Sequence, residues 1–176
     1  MATVSNLDVW LRGPIEGIPA LLQPVAHCLL QTQEDVHRIM EGFLDAWLWE
    51  KPAGRASVGF HLQHIRGVID RLFTYTRGES LTDTQLQAFK QEGQPYPGHD
   101  SIESLLTAMD RQIEKALQQL RHTPEHQLTE IRYVGRAKLP ATVIGLLFHA
   151  AEHSQRHTGQ LLVTASVLKE KHATHS

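Results

Sequence analysis

His149, His153 and His157 stand four residues apart near the C-terminal end of the chain, in the run His149-Ala-Ala-Glu152-His153-Ser-Gln-Arg156-His157-Thr-Gly159-Gln160. Imidazoles at that spacing are the side chains of a divalent transition-metal site. On a helix, positions four apart lie about 40° apart around the axis and about 6 Å along it, so two neighbouring rings can converge on one ion. His149 and His157 are about 12 Å apart along a straight helix and cannot share an ion. One adjacent pair chelates, and the remaining histidine needs another role. Glu152 lies on a different side of the helix from His153, which excludes the His-Glu-x2-His arrangement of zinc peptidases.

A second pair, His61 and His64, falls three residues apart beside Leu62, Ile65 and Val68, apolar positions that must face a protein interior. Either could supply a third imidazole. Three imidazoles with one open position form the arrangement of a catalytic zinc site, and they also suit nickel and other borderline metals. Several imidazoles buried with no shared partner would be costly, which weighs against coincidence. No Gly-x-Ser-x-Gly motif is present, and Cys28, the one cysteine, has no activating neighbour and is expected to be a small core residue. A single cysteine can form neither an internal disulfide nor a thiolate cluster.

The elements that must position these histidines are helical. Val25, Cys28, Leu29, Val36, Ile39, Met40 and Phe43 recur at three- and four-residue steps, predicting a first helix over roughly 24–47. Ser57 offers an N-cap to a second helix over roughly 57–77 that carries His61 and His64. A polar stretch from Gly78 to Asp100 is a crossover with a short helix around Asp83 to Glu92. Asp100 and Glu103 predict a capping box for a third helix over roughly 101–121, the most amphipathic of the chain. Residues from Thr123 to Lys138 are read as a loop, with Pro140 in the first turn of a last helix over roughly 140–169. The fold class is therefore all-α, a four-helix bundle with a long crossover between helices two and three. Residues 1–170 form one domain, and 171–176 a frayed tail that holds His172 and His175.

The formal net charge of −2 and the lack of a basic run argue against nucleic acid or an anionic membrane as a partner. Met1 to Trp10 lack the pattern of a secretory signal, and no apolar run reaches transmembrane length, so a cytoplasmic location is expected. Trp47, Trp49 and Phe60 are expected in core or boundary packing.

Two segments resemble the DinB-like, or YfiT-like, metal-binding proteins, and the resemblance covers most of the chain. One is the C-terminal His153-x3-His157-x-Gly159-Gln160, with His149 where many members carry a further histidine. The other is Ser57-Val-Gly-Phe-His-Leu-Gln-His64-Ile65, where His61 departs from the apolar residue commonest at that place. The resemblance implies a four-helix bundle, zinc or nickel bound by His64, His153 and His157, and a homodimer. His61 then becomes a supporting residue or alternate ligand. Characterised members include transferases that use low-molecular-weight thiols, so the expected activity is metal-dependent attack of a small thiol on an electrophile. A hydrolase using metal-activated water and a non-enzymatic metal-binding stress protein are the alternatives. His61, His149 and Glu152 are the candidate catalytic residues, and no organic cofactor is expected.

Overall fold

The computed structural model describes residues 7–174. Four long helices form the bundle: α1 (Gln23–Met40), α2 (Val58–Thr76), α4 (Ile102–Arg121) and α5 (Val143–Ala173), with a short α3 (Asp83–Gln91) in the crossover. α2 and α1 each pack against both α4 and α5, which gives the order α1, α4, α2, α5 around the bundle. The interior is filled by Leu29 and Val36 of α1, Leu62, Ile65, Ile69 and Phe73 of α2, Met109, Ile113 and Leu120 of α4, and Leu147, Leu161 and Leu168 of α5. Ala150, Ala151 and Ser154 are also buried on α5, and their small side chains allow α5 to approach its neighbours closely where the histidines begin.

Several boundaries differ from the sequence reading, each for a local reason. The first helix ends at Met40 and not near 47, because Glu41 leaves helical geometry and Gly42 adopts φ +68°. The chain then turns through a 3-10 segment, Asp45–Trp47, which brings Trp49 against α2. A Cβ added at Gly59 would lie 2.5 Å from the Trp49 ring, so the absent side chain makes room for the indole. α4 is capped by Ser101 with Ser104, and not by Asp100 with Glu103. α2 starts as predicted, with Ser57 Oγ accepting from the Phe60 N–H at 3.2 Å.

The segment read as a loop holds a strand. β1 (Ile131–Val134) pairs antiparallel with β2 (Leu139–Thr142), in the register Ile131 to Thr142. Pro140 belongs to β2, and α5 begins only at Val143, where Thr142 Oγ1 accepts from the Gly145 N–H at 3.1 Å. The hairpin is anchored by Arg132, whose Nε donates to the Thr76 carbonyl at 2.8 Å at the end of α2. At the other end α5 continues to Ala173, through the region read as a frayed tail. Lys171 and His172 both reach the Glu50 carboxylate, at 2.6 and 2.8 Å, and His172 stacks on Trp47 with ring centroids 4.6 Å apart. His175 lies outside the described residues. No described helix is long and apolar enough to cross a membrane.

Candidate metal centre

The site lies in the seam between α2 and α5. Its α2 side is set by the Ser57 cap, which starts the helix so that His61 and His64 both reach α5. His64 Nε2 lies 3.0 Å from His153 Nε2, and His61 Nδ1 lies 3.0 Å from His157 Nδ1. The His64 ring centroid is 4.4 Å from that of His157 and 5.2 Å from that of His153, with Phe60 stacked on His64 at 5.1 Å. One ring nitrogen from each of His64, His153 and His157 lies within 4.8 Å of the other two.

That spacing fits a single ion. Nitrogens bound to tetrahedral zinc at about 2.0–2.1 Å stand about 3.3 Å apart, so only small side-chain rotations separate this arrangement from a coordination shell. The electrostatics point the same way. Burial pulls the His157 imidazole down to about 3, with further lowering from the charges of His64, His153 and His61. Burial, with a smaller contribution from His64, lowers His61 to about 4, and burial and the neighbouring histidines lower His153. All three are held in the neutral form, the form that ligates metal. His153 Nδ1 is buried with no hydrogen-bond partner among the described residues. The residues present fit a divalent transition metal.

Each sequence-predicted residue has a definite place. His64, His153 and His157 come together, whereas His61, 3% exposed, lies outside this group and meets His157 at 3.0 Å. His149 stays at the rim, its ring centroid 5.1 Å from that of His153 and its side chain 53% exposed. Glu152 is taken up by Arg156, which holds its carboxyl below the usual range. His149, Glu152 and His153 form a second, more exposed grouping that shares one histidine with the first. Cys28 is only partly buried, on the α1 side of α5, and its thiol is raised by burial, so nothing activates it.

The crossover contributes a residue that helical periodicity does not reveal. Glu92, directly after α3, places Oε2 2.6 Å from His64 Nδ1 and accepts from Arg71 Nη1 through Oε1 at 2.6 Å. Gln63, 3% exposed, pins the same segment, accepting from the Gly93 N–H at 2.7 Å and donating to the Gln94 carbonyl at 2.9 Å. The available signal was Gly67, a glycine inside a helix, three residues after His64 on the same face. A glycine there costs about 1 kcal/mol relative to alanine and therefore points to a close approach by something else.

A helical bundle with an imidazole cluster between two facing helices defines a class of metal-site scaffolds. Residues 14–161 match the DinB superfamily, and the chain belongs to that family. A conserved protein from Enterococcus faecalis of known crystal structure shares the fold, with a TM-score of 0.65 at 17% identity over 82% of this chain and 94% of that one. No curated protein matches the sequence.

Proposed function

We propose that His64, His153 and His157 hold a divalent transition-metal ion, zinc or nickel, and that the protein is a transferase joining a low-molecular-weight thiol to an electrophile. The carrying observation is the convergence of three imidazoles, those of His64, His153 and His157, with no fourth protein ligand in the group among the described residues. Membership of the DinB superfamily, which is often metal-binding, supports the same reading. When bound, the ion supplies Lewis acidity that lowers the pKa of a thiol placed at its open position.

The chain's own residues do the rest. His64, His153 and His157 fix the ion's place, Phe60 covers the His64 ring, and His149 stands at the solvent rim to pass the thiol proton outward. Sulfur forms a bond to carbon while the leaving group departs with its electron pair. The alternative of metal-assisted hydrolysis needs a general base, and of the nearby candidates Glu152, Glu92 and His61 are engaged elsewhere, which leaves only His149 at the rim. Glu152 is held by Arg156, Glu92 by Arg71 and His64, and His61 by His157. A thiol needs no such base once its pKa has fallen.

The test is elemental analysis of purified protein, followed by thiol conjugation to monobromobimane with and without metal. The expected result is one ion per chain and conjugation that stops on chelation. Stoichiometric metal without turnover by any common cellular thiol would favour a metal-binding protein that is not an enzyme.

A further inference from the structure

We infer that Glu92 is a positioning residue for the metal centre: it fixes the His64 ring with its proton on Nδ1, leaving Nε2 free to ligate, and Gly67 exists to admit it. The inference rests on the metal reading for its consequence but on separate observations for its geometry. An ionised carboxylate only accepts, so at 2.6 Å from Glu92 Oε2 the His64 Nδ1 must carry the proton. Nε2 of the same ring then presents its lone pair toward His153 Nε2, 3.0 Å away. Carboxylate partners of this kind orient metal-bound imidazoles and raise their basicity.

Glu92 is itself held. Its side chain is 7% exposed, and Arg71 Nη1 occupies Oε1 at 2.6 Å, while the Arg71 guanidinium lies over the Phe89 ring of α3 at 4.3 Å. With the Gln63 bonds to Gly93 and Gln94, the crossover delivers one carboxylate to one histidine from a fixed direction. The carboxylate and the guanidinium meet over Gly67. A Cβ at that position would collide with Glu92 Oε1 and lie 2.6 Å from Arg71 Nη1. Both atoms end flexible side chains, so the fold can absorb the methyl group, but the clamp on His64 cannot keep its geometry.

The test compares wild type, Glu92→Gln, Gly67→Ala and, as a control on the same crossover, Glu79→Gln. Zinc affinity is measured by competition with a chromophoric chelator. The His64 tautomer is read in metal-free protein by long-range ¹H–¹⁵N NMR at alkaline pH. In wild type the proton should sit on Nδ1. In Glu92→Gln the amide can turn its NH2 toward the ring, moving the proton toward Nε2 and weakening zinc binding about ten- to a hundredfold. Gly67→Ala should shift both readouts in the same direction with helicity retained, and Glu79→Gln should change neither. A wild-type proton on Nε2, or a Glu92→Gln variant unchanged in tautomer and zinc affinity, would overturn the inference. If wild type binds no zinc, the metal reading fails while the tautomer still decides the role of Glu92.

Discussion

α5 faces two seams, and they handle polar groups in opposite ways. Toward α1 it presents Gln155, whose Nε2 donates to the Cys28 carbonyl at 3.0 Å and to Thr32 Oγ1 at 2.9 Å. Those bonds are complete within the protein, and the seam needs nothing more. Toward α2 it presents His153 and His157, two residues before and two after Gln155, against His61 and His64. There ring nitrogens face one another, the cationic forms of His61, His153 and His157 are suppressed, and His153 Nδ1 has no hydrogen-bond partner among the described residues. A buried polar group with a matched partner is accounted for by folding alone. On the α2 seam imidazoles meet one another instead, the arrangement the proposed ion would use.

The sharpest way to break the contrast is to remove one imidazole. His153→Ala and His64→Ala should each weaken metal binding by more than about a hundredfold, a loss greater than that expected from a supporting residue. Far-ultraviolet circular dichroism should stay helical, because the apolar core of Leu62, Ile65, Met109 and Leu147 is buried independently of the histidines. Elemental analysis after gel filtration checks this.

The pH response should come from the histidine seam. His157 is depressed from 6.5 to about 3 and His61 from 6.5 to about 4. Below pH 6.5 the unfolded chain takes up protons that these folded residues refuse, so stability falls as pH drops from there toward the folded values. Above that window the two groups contribute no slope. Thermal melts of metal-free protein from neutral to acidic pH should show the decline, and His61→Asn should flatten part of it.

Gln155→Ala tests the other seam. It should cost about 1–3 kcal/mol by leaving the buried Thr32 hydroxyl short of a partner. Metal content should not change, as denaturant melts beside elemental analysis would show. The smallest effect is expected at the rim: His149→Ala should keep full metal occupancy and slow thiol conjugation only several-fold, read as a change in kcat at constant metal content.

The four long helices and the His153–His157 pair were legible in the sequence because each depends on periodicity within one segment, whereas spacing left His61 and His64 both open as the third imidazole and only the family resemblance favoured His64. Leu105, Met109, Ile113 and Leu120 repeat at helical spacing, and His153 and His157 are one turn apart. Features that depend on contacts between distant segments were not legible. Glu92 meets His64 only because α3 folds back over α2, and nothing around Glu92 in the chain encodes that approach. The hairpin was missed because its two strands are only four residues long and Pro140 mimics a helix start, although a proline at the edge of a two-stranded ribbon serves equally well. The end of α5 was cut short because its polar last turn is stabilised by Glu50 and Trp47, more than a hundred residues earlier.

Metal-edge X-ray absorption of the zinc-loaded protein, recorded before and after addition of a small thiol, reads the coordination shell of the proposed ion itself. The spectrum should show three imidazole nitrogens at about 2.0–2.1 Å plus one exchangeable light ligand, replaced on thiol addition by sulfur at about 2.3 Å. A shell already closed by four protein ligands, or one with fewer than three imidazoles that His64→Ala leaves unchanged, would contradict the proposed ion site.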